Sequence, residues 1–366
     1  MLHRLAVGLT LAGTAVAYGG GIDTPGYASG VAVDGTTVYV ADGTGGLRVI
    51  NASNPDAPSA LGSAVMTGQA RAVAVDGTLA YVVSLSFAGP SSMQVVNVSN
   101  PQAPAPIGLG FVNGLAKGVA VSGTVVAVAA GDLYLFDVSE PTGPIAAGTV
   151  VTPGTATGVA FVGDVVYVAD GSAGLQIIDA STPGFPALIG SADTPGTATG
   201  VAVVGTTAYV ADGSAGLQVI DVSDPATASV IGSADTPGTA SSVAVEGSRA
   251  FVGDGSLGVQ VIDVSDPSAP APESAIATAG NAEGVAAGGG LVYVANGVAG
   301  VRIIDPDADN PCPADINLDG VLNLDDIAAF AAAFTGGSTA ADLTGDGALN
   351  LDDIDAFATG FLAGCS

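Results

Sequence analysis

A short motif containing Val-Ala recurs seven times in the sequence at nearly constant spacing. Its valine occupies positions Val31, Val73, Val119, Val159, Val201, Val243 and Val285. Successive valines are 42, 46, 40, 42, 42 and 42 residues apart. Self-similarity at such a period indicates a repeat protein, in which each unit is one supersecondary structure that packs on its neighbours. The chain must therefore fold as an array or a ring of seven similar units.

Each repeat has room for four β-strands. In the fifth repeat, β-type sequence covers residues 199–204, 208–211, 217–222 and 229–233. Glycine, Asp-Gly and Asp-Pro separate these runs and are typical turn residues. Four strands in about 42 residues match one blade of a propeller. The sequence therefore predicts an all-β, seven-bladed β-propeller. A β-solenoid is the alternative, although its coils are usually shorter.

The two ends of the repeat array complement each other. The seventh repeat ends near Ile304 without a fourth strand. Residues 18–26 resemble residues 188–196, which contain the fourth strand of the fourth repeat and the segment after it. An open array would leave unpaired strand edges, which proteins avoid. We therefore expect the N-terminal segment to complete the last blade and to close the ring.

The repeats resemble a known family. Residues 209–225, with the sequence YVADGSAGLQVIDVSDP, are similar to the LVIVD repeat of bacterial extracellular β-propellers. The resemblance covers residues 18–305. It implies a secreted or surface interaction scaffold, and it brings no catalytic residues to transfer.

The N-terminus has the order of a secretory signal peptide. A basic residue, Arg4, precedes the apolar run 5–16, and residues 15–17 form an Ala-x-Ala cleavage site. The run is too short to span a bilayer, and no other segment of the sequence is a candidate span. We expect residues 1–17 to be removed and the protein to be secreted or held at the cell surface, as a bacterial exported protein.

Composition changes after a Pro- and Asp-rich linker at 306–311. Two stretches, 315–326 and 342–353, carry oxygen-bearing side chains at positions 1, 3, 5, 9 and 12, with glycine at position 6. This is the spacing of a calcium loop, in which position 7 contributes its carbonyl. The sequence predicts two Ca²⁺ sites with the ligands Asp315, Asn317, Asp319, Val321, Asn323, Asp326, Asp342, Thr344, Asp346, Ala348, Asn350 and Asp353.

An apolar stripe follows each loop. Ile327, Phe330 and Phe334 are spaced for one face of a helix, and Ile354, Phe357 and Phe361 repeat that spacing. We expect the two stripes to face each other in a small all-α calcium-binding domain. The two cysteines of the chain, Cys312 and Cys365, flank it. In an exported protein we expect them to form a disulfide, with two free thiols as the alternative.

Residues 312–366 resemble a type I dockerin, because a loop and a helix are duplicated and both loops have Asp at position 12. The resemblance implies calcium binding and docking onto a cohesin-like partner. Thr344 departs from the usual Asn or Asp. The positions that often govern cohesin recognition are Leu324, Asp325, Leu351 and Asp352, where a Ser-Thr pair is common. The partner could therefore be another cell-surface or secreted protein.

Composition narrows the function of the propeller. Six Lys and Arg against 34 Asp and Glu give a net charge of −28, which disfavours nucleic acid as a partner. His3 is the only histidine and lies within residues 1–17. Without it, neither a Ser-His-Asp site nor a histidine-ligated metal can form. Most aspartates recur in two sets: one precedes a turn glycine, and the other opens the turn of the Asp-Val-Ser-Asp-Pro type. We interpret both sets as turn-capping residues: Asp42, Asp170, Asp212 and Asp254, and Asp137, Asp179, Asp221 and Asp263.

Positions that vary between repeats are better binding candidates. The residue two positions before each marker valine should lie around one mouth of the central channel. We call this set the mouth ring: Ser29, Arg71, Lys117, Thr157, Thr199, Ser241 and Glu283. It could hold an anionic or hydroxyl-rich ligand, such as a sugar chain, or a protein. An ordinary solvated loop surface is the alternative. The insertion in the second repeat adds Phe87 as a candidate and could expose Leu85, or it could fold back on its own blade.

The competing function is a carbohydrate-active enzyme, an O-glycosyl hydrolase or another component of polysaccharide breakdown. Its candidate carboxylates are Glu283, Glu246, Glu140 and Asp132, which depart from the repeat consensus. Such an enzyme needs two of them facing one cavity.

Overall fold

The computed structural model describes residues 20–86, 89–307, 324–335, 354 and 357. Twenty-eight described strands form seven four-stranded antiparallel sheets. This arrangement confirms the predicted all-β, seven-bladed propeller. In the fifth repeat, the strand bounds agree with the sequence prediction to within one residue at each end.

The strands of the first four blades follow each other in chain order. They are β2 Gly30–Asp34, β3 Thr37–Ala41, β4 Leu47–Asn51 and β5 Ser59–Ala64 in blade 1; β6 Gln69–Asp76, β7 Leu79–Leu85, β8 Ser91–Asn97 and β9 Ala105–Val112 in blade 2; β10 Gly118–Ser122, β11 Val125–Ala130, β12 Asp132–Asp137 and β13 Ile145–Val150 in blade 3; and β14 Gly158–Val162, β15 Val165–Ala169, β16 Leu175–Asp179 and β17 Ala187–Ala192 in blade 4.

The last three blades repeat the pattern, and a 3₁₀ turn at Pro225–Thr227 precedes the outer strand of blade 5. Their strands are β18 Gly200–Val204, β19 Thr207–Ala211, β20 Leu217–Asp221 and β21 Ser229–Ala234 in blade 5; β22 Ser242–Glu246, β23 Arg249–Gly253, β24 Val259–Asp263 and β25 Ala271–Ile276 in blade 6; and β26 Gly284–Gly288, β27 Leu291–Ala295, β28 Val301–Ile304 and the N-terminal β1 Gly21–Ile22 in blade 7.

The N-terminal strand closes the ring, as the sequence predicts. In β1, Gly21 pairs with Arg302 and Ile22 pairs with Val301 of β28. The backbone N–H of Gly20 also donates to the carbonyl of Pro55 in blade 1, at 2.8 Å. The first residues of the described chain thus bond to both the last blade and the first.

Among the described residues, the hydrophobic core of the propeller forms seven clusters, and each lies between two neighbouring blades. One cluster joins Tyr39 and Val49 of blade 1 to Val82 of blade 2. The cluster that closes the ring joins Val40 of blade 1 to Ile303 of blade 7. Valine and isoleucine suit such packing because both faces of a blade are covered. The interfaces hold the inner strands in a fixed circle.

An α-helix, α1, spans Leu324–Thr335. Within the described ranges, no helix has the length and hydropathy that crossing a bilayer requires. Phe330 and Phe357 are buried and stacked, with ring centroids 4.2 Å apart. This contact agrees with the predicted facing stripes. Ile327 and Ile354 are each 40% exposed, however, so these two isoleucines are not buried as a shared core requires.

Candidate functional site: the mouth of the propeller channel

The seven residues of the mouth ring line one cavity. The inner strands β2, β6, β10, β14, β18, β22 and β26 all begin on the same face of the propeller, which we call the top face. The mouth ring lies where these strands begin, and it surrounds a cavity of about 270 Å³. The glycines and valines that follow it along the strands, such as Gly30 and Val31, form the wall below. The repeat therefore places one variable side chain from every blade around a shared space.

Hydroxyl side chains in the mouth ring tie neighbouring blades together. The Thr199 hydroxyl donates to the carbonyls of Ala211 in its own blade and Ala240 in the next, at 2.9 and 3.0 Å. The corresponding hydroxyls make the same kind of bond and belong to Ser29, Thr157 and Ser241. A hydroxyl has one hydrogen to donate. This donor is therefore committed to the backbone in four of the seven residues.

The other three members of the mouth ring are charged. Arg71, Lys117 and Glu283 occupy blades 2, 3 and 7. Because blade 1 lies between blades 7 and 2, these side chains fall in one continuous part of the ring. We call this part, together with Tyr27 of blade 1, the charged sector. One side of the mouth therefore carries charged side chains. The other side carries hydroxyls that are hydrogen-bonded to backbone carbonyls.

Tyr27 is a member of the site that the sequence analysis missed. Its phenol donates a hydrogen bond to the Glu283 carboxylate across the junction of blades 1 and 7. Burial, this hydrogen bond and the negative charge of Glu283 raise the pKa of Tyr27, while a hydrogen bond with Asn281 and the positive charge of Arg71 act in the opposite direction. The residue lies four positions before a marker valine, where other repeats have Gln69 or Thr155. This variation between repeats is the sequence signal that could have identified Tyr27 as a residue of the site.

The two cations of the charged sector differ from the other described basic residues. Arg48 lies 3.4 Å from Asp42, Arg249 pairs with both Glu273 and Asp307, and the Arg302 guanidinium donates to the Ala277 carbonyl at 2.9 Å. Within the described part of the chain, no carboxylate forms an ion pair with Arg71 or Lys117. Both cations therefore remain available to an anion at the mouth.

The candidate carboxylates are not gathered in one place. Glu283 lines the mouth cavity, whereas Glu246 ends β22 at the opposite face and accepts a hydrogen bond from the Gly290 N–H at 3.2 Å. Glu140 lies in the turn after β12, and Asp132 begins β12 near Thr152. Of these four residues, only Glu283 belongs to the cavity lining.

One set of recurring aspartates has a different role from simple turn capping. The Asp170 carboxylate accepts hydrogen bonds from the Thr152 hydroxyl and the Gly154 N–H, at 2.6 and 2.8 Å. It therefore fixes the Thr-Pro-Gly segment that enters the blade, and not its own Asp-Gly turn. Burial is the largest effect on this carboxyl and raises the pKa of Asp170. The same bonds recur at Asp42, Asp212 and Asp254.

The other recurring set is confirmed as turn-capping. The carboxylate of Asp221 accepts the N–H of Ser223 at 2.9 Å, and Asn51 and Asn97 cap equivalent turns. Equivalent caps occur at Asp137, Asp179 and Asp263. These bonds lower the pKa of Asp221, whose side chain faces solvent.

The insertion of blade 2 is partly described. Leu85 is buried, so of the two alternatives left open by the sequence, the one in which the insertion exposes Leu85 is excluded. The reason is that β7 continues to Leu85 and pairs with β6 up to that residue. Phe87 lies outside the described residues.

Most predicted features of the C-terminal region lie outside the described residues. Leu324, Asp325 and Asp326 fall in the first turn of α1. The other predicted calcium ligands, Leu351, Asp352, Cys312 and Cys365 lie outside the described ranges, as do residues 1–17. Within those ranges, no group of three or more His, Cys, Asp or Glu side chains is arranged to hold a metal ion. The calcium sites, the disulfide and the docking residues stay predictions.

Comparison with known proteins agrees with this geometry. The LVIVD repeat matches seven consecutive segments: 25–66, 67–108, 113–152, 153–194, 195–236, 237–278 and 279–306. No curated protein matches the chain. Among solved structures, U3-55K is 10% identical with a TM-score of 0.64, and the match covers 77% of this chain and 96% of that one. The computationally designed Ika8 protein is 9% identical with a TM-score of 0.57, covering 78% and 99%. At these identities the likeness establishes the propeller fold alone.

Proposed function

The chain belongs to the LVIVD repeat family, and from that premise we propose that it is a secreted interaction protein whose propeller binds its ligand at the mouth of the channel. A propeller of LVIVD repeats is the architecture of an interaction module. One observation carries the proposal: the residues that vary between otherwise similar repeats line a single cavity. Variable side chains on a rigid scaffold are where binding specificity resides.

Residues 312–366 would provide a second function. In the proposal, two Ca²⁺ ions organise this region, which attaches the propeller to a cohesin-like or other secreted partner. The tandem loop spacing supports calcium binding. The Phe330–Phe357 contact supports a paired arrangement of the two halves. The N-terminal sequence order supports export.

A polysaccharide panel separates binding from catalysis. The calcium-loaded chain starting at Tyr18 is incubated with each polysaccharide, and both retention of protein and release of soluble sugar are recorded. We expect the protein to be retained on a polysaccharide without release of soluble sugar. We also expect the protein to lose this retention when Arg71 and Lys117 are both changed to Met. Release of sugar that Glu283→Gln abolishes would instead establish a glycoside hydrolase.

A further inference from the structure

Four of the seven mouth-ring side chains hold the blades together through their hydroxyls, so recognition must rely mainly on the charged sector. There Arg71 and Lys117 lie on adjacent blades, whereas the Glu283 carboxylate lies on the other side of blade 1. The Tyr27 phenol donates a hydrogen bond to one carboxylate oxygen of Glu283. The remaining lone pairs of this carboxylate are free to accept hydrogen bonds from a ligand, because an ionised carboxylate has about four acceptor positions.

This arrangement selects for a ligand with two kinds of group. An anionic group is attracted to the Arg71 guanidinium and the Lys117 ammonium, whose N–H groups make charge-assisted hydrogen bonds with carboxylates. A hydroxyl donor suits Glu283, whereas a second anionic group there would be repelled. A ligand with one carboxylate and several hydroxyls satisfies both sides of the charged sector.

The net charge of the protein limits how much negative charge the ligand can carry. The chain has a formal net charge of −28, which repels polyanions over long distances. A singly charged ligand is repelled least while still gaining the local interaction with both cations. The cavity is also small, about 270 Å³, near the lower limit of ligand pockets. It suits one sugar residue or the end of a chain.

Resting on the proposed function above, we infer that the charged sector binds a hexuronate residue. Its carboxylate would contact Arg71 and Lys117, and its hydroxyls would point toward Glu283. The glycine and valine wall below, including Val31 and Val73, would contact the apolar face of the sugar ring.

D-glucuronate and D-glucose provide a matched pair of probes because they differ in the carboxylate at C6. Isothermal titration calorimetry at low salt is expected to show binding of glucuronate and little or no binding of glucose. Sulfate, an anion without hydroxyls, is expected to bind more weakly than glucuronate. Added salt should weaken glucuronate binding, because the contacts are electrostatic.

Variants of the chain locate the binding. Arg71→Met and Lys117→Met, which keep the length of the side-chain stem, are each expected to weaken glucuronate binding by about tenfold or more. Arg302→Met removes the same charge outside the cavity and should leave binding unchanged. Unchanged thermal unfolding would show that the variants fold.

Three results would overturn the inference: equal binding of glucose and glucuronate, wild-type affinity in both mouth variants, or no binding of glucuronate. Retention on the polysaccharide panel is measured independently. Retention of a neutral polysaccharide that is lost when Arg71 and Lys117 are both changed to Met would refute the hexuronate assignment and leave the proposed binding function standing.

Discussion

At the scale of single residues, a buried carboxylate governs how the chain enters the blade in blades 1, 4, 5 and 6, where it belongs to Asp42, Asp170, Asp212 and Asp254. In blade 4, Asp170 bonds to Thr152 and Gly154, which begin the connection to the inner strand. Blade 7 has Asn296 in the equivalent place, and its side-chain oxygen accepts the Gly280 N–H at 3.1 Å. An uncharged amide therefore keeps the bond to the glycine N–H, whereas the Thr278 hydroxyl donates to the Gly280 carbonyl at 2.8 Å. The glycine contact works through hydrogen bonding and does not need the charge.

Changing Asp170 tests this interpretation. Asp170→Ala leaves the Thr152 hydroxyl and the Gly154 N–H without their partner and is expected to cost about 1–3 kcal/mol of unfolding free energy. Asp170→Asn is expected to cost less, as in the natural blade 7. Urea denaturation at neutral pH measures both, and an Asp170→Ala variant as stable as the wild type would contradict the assignment.

The same residue gives a pH dependence with a definite sign. Burial raises the pKa of Asp170 in the folded protein, so the native state binds this proton more tightly than the unfolded chain. Its contribution to stability therefore falls as pH rises from below the ordinary value of 3.8 through the folded-state pKa. Relative to Asp170→Asn, the wild type should gain stability on acidification. A stability difference between the two that does not change with pH would rule this out.

At the scale of elements, glycine in the outer strand allows one blade to approach the next. A Cβ on Gly62, Gly190 or Gly232 would overlap the carbonyl of a proline in the neighbouring blade. Gly20 makes the same approach to Pro55 from the N-terminal segment. The closing segment therefore packs like the fourth strand of an ordinary blade. It differs only in that it precedes the other three strands of its blade in the sequence.

Gly20→Ala tests the closing segment. The added methyl must displace Pro55 or the strand itself, and we expect a loss of about 1–3 kcal/mol of unfolding free energy. Gly143→Ala is the matched control, because a Cβ there meets no atom within 4 Å. Thermal unfolding of the two variants makes the comparison. Equal melting temperatures would mean that the closing segment adds little to the stability of the ring.

Calcium binding is a prediction about the loops at 315–326 and 342–353. Calorimetric titration of the full chain is expected to show two Ca²⁺ ions bound, because each loop supplies enough oxygen ligands for one. Asp315→Ala and Asp342→Ala should each remove one site, whereas Asp56→Ala, in the propeller, should remove neither. If both loop variants still bind two Ca²⁺ ions, the loops are not the calcium sites.

Elements with a strong repeat signal were predictable, and side-chain partners were not. The period of about 42 residues defines four strands and seven blades, because each blade is repeated with little change. The shared location of the mouth ring follows from the same register. The bond between Tyr27 and Glu283 could not be predicted, because it joins residues 256 apart that meet only when the ring closes. Asp170 was predicted as a turn cap because its Thr-Pro-Gly partner lies 16 to 18 residues upstream.

At the scale of the whole molecule, ring closure brings the first and last blades together within the charged sector. Glu283 comes from blade 7, Tyr27 from blade 1 and Arg71 from blade 2, so the sector exists only in the closed ring. A strongly acidic protein thus has its two unpaired described cations together at one end of the channel. Stability of the closure and ligand binding should therefore be coupled.

The most direct test of the central claim is a crystal structure of the chain starting at Tyr18, grown with D-glucuronate. We expect the sugar at the mouth, with its carboxylate in hydrogen-bonding contact with Arg71 and Lys117 and a hydroxyl donating to Glu283. A sugar bound on the outer strands or at the opposite face, with the mouth ring untouched, would contradict the assignment of the mouth as the binding site.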